Sequence, residues 1–286
     1  MTKSSQPALR VGGMHLATPN FTEQVRFYTF FLGMKAISQE EVTIQLGAGK
    51  EPLVSLEWDP AAFHEEGTTG LYHLALRLPN RLELARLVAH LAKSGSDFVG
   101  VADHGVSESF YLSDFDGNGI ELYCDRPAAD WPRDSLGALK MGTDPLDIDN
   151  LISEIVAETP AWAGIDPGAD IGHIHLTVNA LKEAEGFYTK VIGLDETQRL
   201  PSGAIFFSSD GYHHRVAVNN WLGENAPPPV EGAGGMRYYE LVLQNRAALE
   251  EIRFRAEAAG VEVESREDGL LLRDPAGNGV LLKGGD

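Results

Sequence analysis

The segment SDFDGNGIEL, residues 113–122, returns late in the chain as RDPAGNGVLL, residues 273–282. Asp114, Gly117 and Asn118 find their counterparts 160 positions on, in Asp274, Gly277 and Asn278. Residues 20–36, NFTEQVRFYTFFLGMKA, answer residues 180–196, ALKEAEGFYTKVIGLDE, at the same offset of 160, which relates Phe27-Tyr28 to Phe187-Tyr188 and Gly33 to Gly193. Agreement at both ends of each half marks a duplicated chain, and a repeat of this kind decides the architecture. The quoted segment reads as strand, polar turn and strand. Its GNG turn, like that at 277–279, supplies positive φ where the chain reverses and is not a phosphate cradle. In the strand GIELY, Ile120 and Leu122 share one face while Glu121 and Tyr123 share the other. By default a lone Glu121 faces water.

Each half divides again. Short alternating strands begin near Val11 (VGGMHLAT), Leu71 (LYHLALRL), Ile171 (IGHIHLTV) and Arg237 (RYYELVLQ), and each leads into an amphipathic stretch with helical spacing. Those stretches are FTEQVRFYTFFLG, RLELARLVAHLAKSG, LKEAEGFYTKVIG and RAALEEIRFRAEAAG, and their Phe-Tyr pairs fall at core spacing. Pieces such as GAIFFSSD and HHRVAVNNW read as further short strands. The chain is therefore expected to be α+β, with four βαβββ modules. A Pro-, Gly- and Asp-rich segment divides the halves as an interdomain connector would. The expected division is a first domain over 9–126, a connector over 127–169 and a second domain over 170–284.

Composition narrows the function classes. The chain carries 42 acidic against 23 basic residues, a net charge of −19, which disfavours nucleic acid as a partner. The one cysteine, Cys124, forms no intramolecular disulfide, so a cytoplasmic location is expected. MTKSSQPALRVGG reads as no secretory signal, and no run of eighteen apolar residues argues for a membrane span. A symmetric homo-oligomer is the expected assembly.

The four-module pattern resembles the vicinal oxygen chelate superfamily of glyoxalases, bleomycin-resistance proteins and extradiol ring-cleaving dioxygenases, from about Val11 to Leu282. The segments YHLALRLPNR, HGVSESFYLSDFDGNGIELY and IGHIHLTV most resemble two-domain catechol 2,3-dioxygenases. The resemblance implies that paired modules curl into two half-open mixed β-barrels. It also implies a metal held by histidines of leading strands and a Glu of a closing strand. Carried over by position, module one has Gly13 at the histidine place, with His15 two residues on. Module two has His73 and Glu121, module three has His173, and module four has Tyr238 and Leu281. Pairing modules one with two and three with four leaves both ligand sets incomplete. If modules two and three pair across the connector, His73, Glu121 and His173 converge as a two-histidine, one-carboxylate triad, and this is the pairing the residues favour.

Such a triad leaves coordination positions open, as in non-haem Fe(II) oxygenases, with Mn(II) as the alternative ion. The resemblance then implies an Fe(II)-dependent extradiol dioxygenase acting on a small aromatic diol and O2. His104 and Tyr111 take acid/base or hydrogen-bonding roles, and His213, His214 and His175 are candidates for the substrate pocket, with His175 also a candidate donor or substitute ligand. His213 and His214 are expected to face opposite ways, and His15, His64 and His90 to be surface or structural. A glyoxalase-like metal-dependent lyase or isomerase, with zinc or nickel and a fourth protein ligand, is the alternative. A non-catalytic binding protein is the third class, and retention of three ligand positions counts against it.

Overall fold

The computed structural model of the protein describes residues 9–285. Residues 1–8, which begin the segment read as lacking a secretory signal, lie outside it, as does Asp286. Four modules follow one another. The first holds β1 (Leu9–Thr18), α1 (Phe21–Arg26), β2 (Lys35–Gln39), β3 (Thr43–Gly47) and β4 (Val54–Trp58). The second holds β5 (Gly70–Leu78), α2 (Arg81–Lys93), β6 (Gly100–Asp103), β7 (Ser107–Ser113) and β8 (Gly119–Asp125). A connector with one short helix, α3 (Ile148–Ile152), precedes the third module of β9 (Asp170–Thr177), α4 (Leu181–Gly186), β10 (Asp195–Leu200), β11 (Ala204–Ser208) and β12 (Val216–Asn219). The fourth comprises β13 (Gly235–Leu243), α5 (Arg246–Ala258), β14 (Glu264–Arg266), β15 (Gly269–Arg273) and β16 (Gly279–Gly284).

The strands form two eight-stranded mixed sheets, ordered β14-β15-β16-β13-β1-β4-β3-β2 and β10-β11-β12-β9-β5-β8-β7-β6. Each leading strand runs parallel to the last strand of its own module, as β5 does to β8 and β9 to β12. Each also runs antiparallel to the leading strand of another module: β5 to β9, and β1 to β13. Modules two and three therefore share one sheet, and modules one and four share the other. The halves of the sequence are not the halves of the sheet structure.

The repeated residues explain why the halves still cohere. Tyr28 lies where α1 widens into a π-helical turn over Phe27–Phe31, and its hydroxyl donates to Asp114 at 3.0 Å. Tyr188 makes the matching 3.1 Å bond to Asp274 from the π-helical turn Phe187–Ile192. Each aspartate also accepts the backbone N–H and side-chain amide of its Asn, Asn118 or Asn278, all at 2.9 Å. The turn then reverses through Gly117 at φ +86° or Gly277 at φ +89°, a region that favours glycine. The conserved offset of 160 thus records one buried bond made twice, from the helix of one module to the turn of the next. Longer helices start at side-chain caps: Asn80 accepts from Glu83 N–H, and Asn245 accepts from Ala248 N–H, both at 3.0 Å.

The connector differs from the loose interdomain segment expected of its composition. Trp131, Leu151 and Ile165 are buried, and Met141 exchanges backbone bonds with the Gln198 amide at 2.7 and 3.0 Å. The segment therefore packs on modules one, two and three, with Ile165 N–H donating to the Gly33 carbonyl at 3.2 Å, rather than spacing the halves apart.

Candidate metal centre

Glu121 does not face water. Its face of β8 is the concave side of the sheet, and the residue is 2% exposed. In register, Ala75 of β5 lies beside Glu121 on one side and His173 of β9 on the other, while His73 lies beside His175. Side chains of laterally paired residues project from one face. His73, Glu121 and His173 accordingly converge over the methyl group of Ala75. Glu121 Oε2 is 3.0 Å from His73 Nε2 and 3.1 Å from His173 Nε2, and the two nitrogens are 3.4 Å apart. Ligands about 2.1 Å from one ion need separations of about this size when they sit side by side. All three residues are buried, and among the described residues theirs are the His, Cys, Asp and Glu side chains that cluster closely enough to hold an ion.

The surroundings set the charges. Burial pushes the Glu121 carboxyl up, but the adjacent His173 and His73 outweigh it and hold it well below the usual range. Ser109 donates to its other oxygen at 2.6 Å, which orients the carboxylate. Burial drives His173 down to about 4, so its imidazole is neutral, as a ligand must be. Gly119 permits the close approach of β8 to β5, since a Cβ there would lie 2.1 Å from the carbonyl of Tyr72.

His104 and Tyr111 stand at the same cavity. His104 Nδ1 lies 2.7 Å from the carbonyl of Gly142, an acceptor only, so that nitrogen carries the proton. Its Nε2, 2.7 Å from the Tyr111 hydroxyl, then accepts from it. Tyr111 pairs across the ladder with Glu121, and its ring lies 5.6 Å from that of His73. Burial, followed by the Glu121 charge, raises its pKa and keeps the phenol protonated.

The described residues match the glyoxalase/bleomycin resistance protein/dioxygenase superfamily model over 10–122 and 170–281. The chain belongs to that superfamily. Within it, the chain is 38% identical to the catechol-2,3-dioxygenase of Bacillus subtilis (strain 168) over 275 residues, 95% of each protein. Solved structures share the superfamily fold. Glyoxalase I from Zea mays superposes with a TM-score of 0.61 at 15% identity, covering 97% of this chain and 92% of that one. The cppA protein from Streptococcus pneumoniae TIGR4 gives 0.56 at 14% identity, covering 98% of each. The first of the two sheets departs from a metal-binding barrel of this superfamily. Glu240 stands in the place of Ala75, Gly12 and Gly13 face it, and Leu281 lies beside it. The Glu240 carboxylate fills the space and pairs with His15 at 2.9 Å and Lys283 at 2.6 Å.

The pocket histidines separate into two environments. His214 and His175 line the cavity, whereas His213 lies behind it. This removes His213 from the pocket candidates, and its reason is local: in the irregular bend Tyr212–Arg215 before β12, Asp125 holds the His213 ring behind the wall. His213 Nε2 donates to Asp125 at 2.9 Å, and its Nδ1 accepts from His214 Nδ1 at 2.8 Å. Burial holds both imidazoles below their ordinary pKa. In this chain of bonds His214 carries its proton on Nδ1 and its lone pair on Nε2. His175 stays outside the triad because its Nε2 accepts from the Asn219 amide at 3.1 Å. His64 is exposed at the cavity rim against Gly117, a surface place, whereas His90 stacks on Trp162 at 3.6 Å. Cys124 packs in the core, its thiol pushed up to about 12 by burial. Sequence reading missed Ala75, Asp125 and Gly142. Only the strand position of Ala75 signalled its role. No helix among the described residues is long and apolar enough to cross a membrane.

Proposed function

We propose that the protein is an extradiol dioxygenase that opens a catechol-type ring beside its diol and incorporates both atoms of O2 into a semialdehyde product. The observation that carries this is the buried His73, Glu121, His173 cluster at the base of a cavity that also presents Tyr111, His104 and His214. The 38% identity to a catechol-2,3-dioxygenase over nearly the whole chain supports it. Two imidazole ligands and one carboxylate suit Fe(II), with Mn(II) the alternative, and neutralise only part of its charge. An ion of this kind supplies a chelation site for two vicinal oxygens and O2 and a path for electrons between them.

The chain's own residues handle orientation and protons. Asp125 and His213 keep the His214 proton on Nδ1, which leaves Nε2 to accept a proton from a diol hydroxyl. Tyr111 keeps its proton and serves as a donor, re-oriented by His104, whose own tautomer is held by the Gly142 carbonyl. A lyase with a fourth protein ligand fits less well, because the cluster stops at three and the nearby His175 is engaged by Asn219.

Anaerobic reconstitution with Fe(II), followed by catechol and air, tests the reading: a yellow ring-fission product is expected. His73→Ala, Glu121→Ala and His173→Ala are each expected to lose both bound iron and colour. Retention of iron by His173→Ala alone would place the ion elsewhere. Wild-type protein that binds metal but never yields the yellow product would move the lyase reading ahead.

A further inference from the structure

The cavity over the triad is far larger than one ring requires. Its volume is about 1250 Å³, whereas roughly 150 Å³ of apolar cavity accommodates benzene. Its walls are aromatic and aliphatic where it opens. Tyr72 adjoins His73, and Trp221 follows β12; they meet edge to face at 5.1 Å and remain 45% and 47% exposed. The indole is fixed in place, its Nε1–H donating to the Ser202 carbonyl at 2.8 Å. Val99, Val101 and Met141 line the cavity as well. Rigid aromatic surface left in contact with water beside a polar centre is the composition of a ligand wall.

The charge pattern is one-sided. The ionisable lining outside the histidines and Tyr72 and Tyr111 comprises Glu65, Glu66, Glu121 and Asp116, and no lysine or arginine is among the described lining residues. Carboxylate recognition ordinarily uses the fork of an arginine or a lysine ammonium. A carboxylate on a ring substituent, held away from the metal ligands, would lose water, meet the like charge of Glu65, Glu66 and Asp116 and find no lysine or arginine. We propose that this cavity selects catechols bearing an uncharged, apolar substituent, seated against Tyr72 and Trp221, and rejects catechols bearing a carboxylate. The inference rests on the extradiol reading and adds the substrate class to it.

The test uses Fe(II)-loaded full-length protein and four probes: catechol, 3-phenylcatechol, 3,4-dihydroxyphenylacetate and its methyl ester. The last two differ essentially in charge. Binding is read anaerobically by tryptophan fluorescence, and cleavage is read as kcat/KM in air. The ester is expected to exceed the acid by about 10–100-fold in both readouts, and 3-phenylcatechol to exceed catechol by at least about 10-fold. In Trp221→Ala the ratio of 3-phenylcatechol to catechol should fall about 10-fold. If catechol is cleaved but acid and ester perform alike, the substrate class is wrong and the dioxygenase reading stands. If no probe is cleaved yet the ester still binds at least tenfold tighter than the acid, the dioxygenase reading fails and the cavity assignment stands.

Discussion

Ala75 separates the Glu121 and His173 side chains on the concave face, and it is fully buried there. Any larger side chain enters the space in which three ligating atoms meet. Ala75→Leu is therefore expected to cost about 1–3 kcal/mol of stability through overpacking. Iron content after dialysis should fall at least about 10-fold, as even outer-shell changes at metal sites do. Metal analysis beside a chemical denaturation curve checks both effects. The buried histidines set the pH response of the metal-free protein. The folded-state pKa of His173 is about 4, below the ordinary histidine value of about 6.5, so the unfolded chain binds the extra proton between those values. Stability is full above about pH 6.5 and is lost as pH falls toward 4, on the order of 3 kcal/mol for this residue alone. His175, His213 and His214 shift in the same direction. Denaturation midpoints measured across that range should fall steadily. A flat profile would mean that these rings are hydrated rather than buried.

At the scale of elements, the helix-to-turn bonds Tyr28–Asp114 and Tyr188–Asp274 tie consecutive modules that belong to different sheets. Tyr28→Phe and Tyr188→Phe each remove a buried donor from a buried aspartate. Each should cost about 1–3 kcal/mol, and the two effects should add because the sites share no partner. Denaturant unfolding of the single and double variants measures this. These bonds were legible as a repeated Phe-Tyr and a repeated Asp-x-x-Gly-Asn, although sequence alone read the tyrosines only as core. The strands were legible from alternation wherever a module led or closed. The bend at Tyr212–Arg215 was not. A run containing two adjacent histidines reads as strand, yet Asp125 of β8 and the Arg215 guanidinium, which lies 4.0 Å over the Tyr212 ring, hold it in another shape.

For the whole molecule, the residues proposed to hold the metal come from both halves of the chain: His73 and Glu121 from the first and His173 from the second. Neither half should bind metal alone. Residues 1–126 and 127–286 expressed separately are expected to retain no iron, and co-expression to restore it, as read by metal content of the co-purified complex. Iron held by the first fragment alone would contradict a shared site. The sequence by itself determined the duplication and the four modules, because these depend on residue type and spacing along the chain, and its family resemblance supplied the three candidate ligand positions. The swapped pairing of modules two and three, favoured by the residues because it alone completes the ligand set, is the pairing the sheets adopt. Only the tertiary structure decided how the connector brings Gly142 to His104, and that His213 lies behind the cavity instead of in it. These depend on which faces bury against each other across a hundred residues. Such packing is chosen by the free energy of the whole core, which local spacing does not record.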